Sequence, residues 1–476
     1  MKRIIFLFLA AMGMAACSNG GKGETVSLMP DYGDITIPCN IAPLNFRVTG
    51  VSTFDVEIKG QCARYGFKGH RGLVCFGLKK WHRMLEAEKG GTLEVTVSAR
   101  TATGEPFERS FTWTVSADSI DPYLSYRLIE PAYEVWSGIQ IEERCMENFS
   151  TRLLGDNSRT DGCCMNCHTS NGGGTSFMHL RGSNGGTVLN RNGRISKVNT
   201  KTEMSGGGVY GDITADGRYG VFTTADITFA MHSRPDMRME VYDKRSDLVV
   251  IDFDSLTASD SPAVSGADFQ ETFPCFSASG RTIFFCRAGH LPQPDSTSSM
   301  HYDIAAVQFD PETGRVGNDV ITLIEAGQGL SFSHLKASPD GRWLMATAAT
   351  YGTFPVWHKE SELWLIDLRS GAVDIMTNAN AYGADTYHSW SSNSCWVVFA
   401  SKRDDMVYGR PYITHIDGNG QCSKAFQLPQ RDPMLYTNTM KSFNLPELYA
   451  SPEDYGANEV EHLYKDAPLE QVSYRQ

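Results

Sequence analysis

One phrase recurs four times between residues 214 and 399, and a recurring phrase limits the folds open to a chain more than any local propensity does. The copies are Thr214-Ala215-Asp216-Gly217-Arg218-Tyr219-Gly220-Val221-Phe222, Ser277-Ala278-Ser279-Gly280-Arg281-Thr282-Ile283-Phe284-Phe285, Ser338-Pro339-Asp340-Gly341-Arg342-Trp343-Leu344-Met345 and Ser391-Ser392-Asn393-Ser394-Cys395-Trp396-Val397-Val398-Phe399. Each joins small polar residues, which make a tight turn, to an aromatic or β-branched run, which makes a strand. Successive copies are 63, 61 and 53 residues apart, long enough for several strands per unit. Leu363-Trp364-Leu365-Ile366-Asp367-Leu368 is one such strand after the third copy, with a further turn at Ser370-Gly371.

The phrase S-x-D-G-R followed by an apolar strand resembles the TolB-type repeat (PD40, WD40-like), in which each copy is one four-stranded blade. The resemblance implies a mainly β chain with a β-propeller over residues 181–440. The spacing exceeds the roughly 45 residues of a lean blade, so the blades carry insertions. Strand-like segments at Gly186–Leu189, Gly193–Val198 and Pro411–Ile416 add about two blades, for about six in all. In this reading Asp216 and Asp340 are turn residues. His334 and His388, seven and six residues before Gly341 and Ser394, enter the first strand of a blade and line the channel.

Upstream of the repeats, residues 31–118 alternate short β-rich runs such as Phe54–Ile58, Leu93–Val97 and Phe111–Val115 with turn signals, the pattern of a β-sandwich-like domain. His70 and His82 are isolated and read as loop residues. Residues 1–17 carry a basic start, a short apolar run and Met14-Ala15-Ala16-Cys17, which resembles a bacterial lipobox in which Cys17 becomes lipidated. Residues 18–30 are then a tether, and residues 441–476, charged and with Pro446 and Pro452, a C-terminal tail that wraps the outside. The net charge of −12 argues against nucleic acid as a partner.

The most specific chemical signal lies in residues 119–180. Cys164-Met165-Asn166-Cys167-His168 has the C-x-x-C-H spacing that lets two thiols bond one haem while the next histidine ligates its iron. On this reading Cys164 and Cys167 form the thioethers of one covalent haem c, and His168 is the proximal iron ligand. Met178 and His179 are the local candidates for the distal position, with His334 and His388 as more remote ones. The geometry needs a short helical turn, and Ile139–Phe149 just upstream reads as an amphipathic helix. Two alternatives stay open: zinc held from among Cys145, Cys163, Cys164, Cys167 and His168, or a disulfide. Cys275 and Cys286, flanking the Ser279-Gly280 turn, could pair across a hairpin.

Taken together, Cys164–His168, Met178–Gly182, Ser333–Gly341 and Tyr387–Ser391 resemble lipoproteins of Bacteroidetes-type bacteria described as TolB-like or cytochrome c-like. The resemblance implies an exported protein anchored by lipid, in the outer membrane and facing the periplasm, with an envelope protein docked on the propeller. It leaves two functions: electron transfer through the haem, or a non-redox binding and scaffolding role in which haem or zinc is a staple. No G-x-S-x-G, H-E-x-x-H or phosphate-cradling motif supports hydrolysis or nucleotide binding. A peroxidase-like open iron site is the remaining enzymatic option.

Overall fold

The computed structural model describes residues 26–474, apart from 102, 131–137, 204, 235–236 and 291–296. Cys17 and the segment preceding it lie outside the described residues.

Six sheets, four of four strands and two extended to five, form the blades of a β-propeller, and each turn phrase sits between the first and second strands of its blade. The inner strands, in chain order, are Met165–Ser170, Gly208–Ile213, Phe269–Phe276, Ser331–Ala337, Thr386–Trp390 and Ser442–Tyr449. The last of these closes the ring, because it pairs antiparallel with Tyr123–Ile129 and completes the blade formed by that strand, Gln140–Cys145 and Thr151–Asp156.

The repeated phrase exists because the turn needs it. Asp216 Oδ1 accepts from Thr214 Oγ1 at 2.6 Å and from the Arg218 amide at 3.0 Å, and Asp340 repeats the pattern with Ser338 and Arg342. The next residue takes a left-handed conformation, with φ of 74°, 66° and 71° at Gly217, Gly280 and Gly341 and 61° at Ser394. The arginine then lies over the following aromatic ring, Arg218 over Tyr219 at 4.7 Å and Arg342 over Trp343 at 4.1 Å.

Three expectations are corrected. Ile139–Phe149 is not a helix: Gln140–Cys145 is a strand, because buried Ile139 and Ile141 alternate with less buried neighbours at period two. Gly186–Arg191 and Arg194–Asn199 do belong to a further blade, the one begun by Met165–Ser170, but Pro411–Ile416 falls in the blade of the fourth copy, and the sixth blade comes from Tyr123–Asp156 with Ser442–Tyr449 instead. Residues 441–476 are not an outer tail alone, since Ser442–Tyr449 is an inner strand, Ala457–Asp466 is a helix, and Leu469–Gln471 and Ser473–Tyr474 add parallel strands to the edges of two blades.

The N-terminal module is one eight-stranded sheet in a half-barrel, with Trp81, Met84 and Leu85 of the helix Leu78–Ala87 buried. His82 is on that helix and His70 ends the strand Arg64–His70, so neither is a loop residue. The module's core is continuous with Trp396, Val398, Ile413 and Phe426 of the propeller.

Candidate functional site in the propeller channel

Every inner strand breaks register at the same place, between Asn166 and Thr169, Gly208 and Gly211, Thr272 and Cys275, Ser333 and Lys336, Thr386 and His388, and Asn444 and Glu447. In five blades the bulge holds a non-glycine residue left-handed: Cys167, Phe273, His334, Tyr387 and Leu445, with φ of 48–52°. Such conformations cost energy and persist only where surrounding packing imposes them. Bulges re-aim side chains, so consecutive residues that would face opposite sides of a regular strand both reach the channel, as Cys167 with His168 and Tyr387 with His388 do.

These residues enclose a cavity of about 70 Å³, room for several waters or a small molecule. An aromatic belt runs round it. Tyr210 stacks on Phe273 at 4.2 Å between centroids, Phe273 meets His334 at 4.3 Å, and His334 meets Tyr387 at 4.6 Å. A charged hub also borders it, where Lys336 Nζ lies 3.0 Å from Asp212 and 3.5 Å from Glu447. Glu447 also accepts from Thr169 Oγ1 and the Ser170 amide, both at 2.9 Å. Burial disfavours the Lys336 charge, but the two carboxylates outweigh it and hold the ammonium charged.

Three histidines reach the cavity with nitrogens unused. His388 Nε2 donates to the Met345 carbonyl at 3.2 Å, which leaves Nδ1 as a lone pair without a partner. His334 Nδ1 meets Ser333 Oγ at 3.0 Å and its Nε2 is unpartnered, while neither ring nitrogen of His168 makes a side-chain hydrogen bond. Burial pushes His168 and His388 down to about 3, and His334 well below its ordinary value, so all three are neutral at pH 7. Buried polar atoms are rarely left unpaired, so this concentration marks the cavity out.

The C-x-x-C-H motif occupies a strand and its bulge, not a helical turn. Only Cys167 and His168 line the cavity. Cys164 packs with Cys163, Met165, Met178 and Leu180 in a separate apolar cluster. Burial pushes the Cys167 thiol up to about 11. Neutral His168, with no side-chain partner, suits an iron ligand. Thiols in two different surroundings beside a cavity of this size do not fit a covalent haem. Of the distal candidates, Met178 is fully buried in that apolar cluster. His179 has both nitrogens engaged, by Thr187 Oγ1 at 2.8 Å and the Val209 carbonyl at 2.9 Å.

Among the described residues no three His, Cys, Asp or Glu side chains are placed to hold a metal ion. Cys145 instead accepts from Asn148 Nδ2 at 3.1 Å, and Cys163 donates to Thr160 Oγ1 at 3.3 Å. Cys275 and Cys286 are thiols on adjacent strands, opposite Phe284 and Thr272 respectively rather than each other.

Sequence reasoning reached His168, His334 and His388 but missed Tyr210, Phe273, Lys336, Asp212 and Glu447. A signal was present. Tyr210, Phe273, His334 and Tyr387 each precede the left-handed turn residue of their blade by seven, and Cys167 precedes Gly174 by the same interval.

No family model matches the chain, and no curated protein is recognisably similar to it in sequence. Among solved structures, the nidogen/laminin complex shares 7% identity over 69% of this chain and 100% of that one, with a TM-score of 0.41. An oligogalacturonate lyase in complex with manganese shares 13% over 71% and 85% at 0.34, and the periplasmic gluconolactonase PpgL of Pseudomonas aeruginosa 14% over 64% and 96% at 0.33. Likeness this distant bears on no functional question.

Proposed function

We propose that the protein is a TolB-like envelope lipoprotein, tethered through Cys17, whose propeller binds a small uncharged ligand in its channel. The observation that carries this reading is the set of unpartnered nitrogens on His168, His334 and His388 around one cavity. The chemistry narrows the ligand. The Lys336 charge is already matched by Asp212 and Glu447, so no spare cation awaits an anion. The lone pair on His388 Nδ1 calls for a hydroxyl or N–H donor, and the aromatic belt offers a face for a flat or ring-shaped group. Pockets of this kind pair apolar walls with a few fixed polar groups.

Native mass spectrometry of the protein extracted from its envelope tests this. The expected result is a lipidated chain, without visible absorbance, carrying a non-covalent small molecule that the His388→Ala variant loses. A wild-type chain with nothing bound refutes the reading. A red protein whose colour survives denaturation would overturn it in favour of the covalent haem c that the spacing of Cys164, Cys167 and His168 predicts.

A further inference from the structure

The strands Tyr219–Arg234 and Met237–Asp252 form a hairpin of 16 residues on each side, longer than any other strand of the propeller. Only part of it belongs to a blade: pairing with Gly208–Ile213 ends at Thr224, and pairing with Thr257–Ser259 begins at Val250. The remainder extends beyond the blade as a two-stranded ribbon. Met239 packs against the cluster containing Trp357 and Tyr387, as Leu445 also does, and Tyr242 packs against the cluster containing Phe273. Tyr387, Leu445 and Phe273 all line the cavity, so the hairpin packs on the same clusters that wall it.

The seat of this hairpin contains an unusual group. Asp243 is 3% exposed, has no ion-pair partner among the described residues, and its Oδ2 has no hydrogen-bond partner. The hydroxyls of Ser246 and Thr272 are its polar neighbours. The charged and titratable groups nearby are otherwise engaged. On the hairpin, Glu240 accepts from the Tyr351 hydroxyl, and Arg245 pairs with Asp247 at 3.0 Å. On the blade beneath, Arg287 pairs with Glu271 at 3.1 Å and the Tyr302 hydroxyl donates to Gln270. Tyr210 on the adjoining inner strand is a neutral phenol. A carboxylate here would be buried with two hydroxyls and no cation to offset its charge, a costly arrangement, whereas the protonated acid is not.

We propose that the hairpin is a proton-latched lid on the channel, seated while Asp243 holds its proton and loosened when that proton leaves. Burial supports this by pushing Asp243 up to about 7. The direction follows from linkage. An acid with a raised value in the closed state and an ordinary one in the open state stabilises closure fully at low pH, and that contribution is lost as pH rises through about 7. Between pH 6 and pH 8 the closed-to-open ratio then falls about tenfold through Asp243 alone. As a regulator of access, the lid rests on the channel being a binding site; as a latch, it can be tested without any ligand.

Hydrogen-exchange protection factors of the full-length protein, corrected for intrinsic exchange, read the latch directly. The expected result is an approximately tenfold loss of protection in the hairpin amides between pH 6 and pH 8, with the strand Trp343–Ala349 unchanged, and no such loss in Asp243→Asn. Hairpin protection that is constant with pH in the wild type overturns the proposal. So does an Asp243→Asn protein that keeps the tenfold loss, or a loss shared equally by the core strand. Should the variant fail to fold, the wild-type comparison of hairpin with core decides. Failure of the native mass spectrometry would leave these outcomes untouched.

Discussion

Lys336 shows what single residues do in this channel. Its ammonium binds together two inner strands from outside its own blade, through Asp212 and Glu447. Removing one partner of such a group leaves like charges facing each other without compensation, which costs more than the pair itself is worth. Lys336→Met is therefore expected to lower unfolding stability by about 3 kcal/mol in chemical denaturation. Thr169→Val, which removes a single hydroxyl hydrogen bond to Glu447, should cost only about 1 kcal/mol. Nothing near Lys336 in the chain announces this role, because its partners are 124 and 111 residues away in opposite directions. His334 and His388 were legible for a different reason: their distance from the repeated turn placed them on inner strands.

At the scale of elements, the inner strand Ser442–Tyr449 was the hardest to read. It contains Pro446, and proline removes a ladder donor, so the segment resembled an irregular tail. Pro446 is tolerated because it falls in the bulge, where the register shift leaves no ladder bond to lose; Pro274 occupies the same position in its blade. This strand closes the ring, whereas Leu469–Gln471 and Ser473–Tyr474 only extend two outer edges. Truncation after Lys441 should accordingly abolish cooperative unfolding, as followed by circular dichroism. Truncation after Ala467 should leave a cooperative transition at slightly lower temperature. The C-x-x-C-H segment was misread in the opposite sense. Its spacing suits a helical turn, but Met165 through Ser170 are also what an inner strand requires, and pairing with Thr175–Leu180 decided between them.

Across the whole molecule, the N-terminal module and the propeller share one core rather than meeting at a solvated boundary. Trp396 lies fully buried in the cluster that holds Trp81 and Trp113, and its Nε1 donates to the Asp118 carbonyl at 3.2 Å. Asp121 accepts from Ser392 through both its amide and its hydroxyl, at 2.9 and 2.6 Å. A shared core couples the two units, so calorimetry of the full chain should show a single transition in place of two. Trp396→Ala, which opens a cavity at that junction, should cost about 3–5 kcal/mol and lower the transition as a whole. Two resolved transitions, with only one moved by the substitution, would show that the units fold independently.

The repeated turn phrase by itself determined four of the propeller's blades, because a turn capped by a short polar side chain and followed by a left-handed residue is local chemistry, carried as Asp-Gly in two copies, Ser-Gly in a third and Asn-Ser in the fourth. The same phrase placed His334 and His388 in the channel. What lies around them was decided only in three dimensions. The belt from Tyr210 to Tyr387, the Lys336 hub and the hairpin packed on the cavity's walls each join residues from several blades, and their partnership arises from ring closure rather than from proximity in the chain. Ring closure in turn depends on Ser442–Tyr449, a strand whose pairing energy comes from Tyr123–Ile129, more than 300 residues earlier.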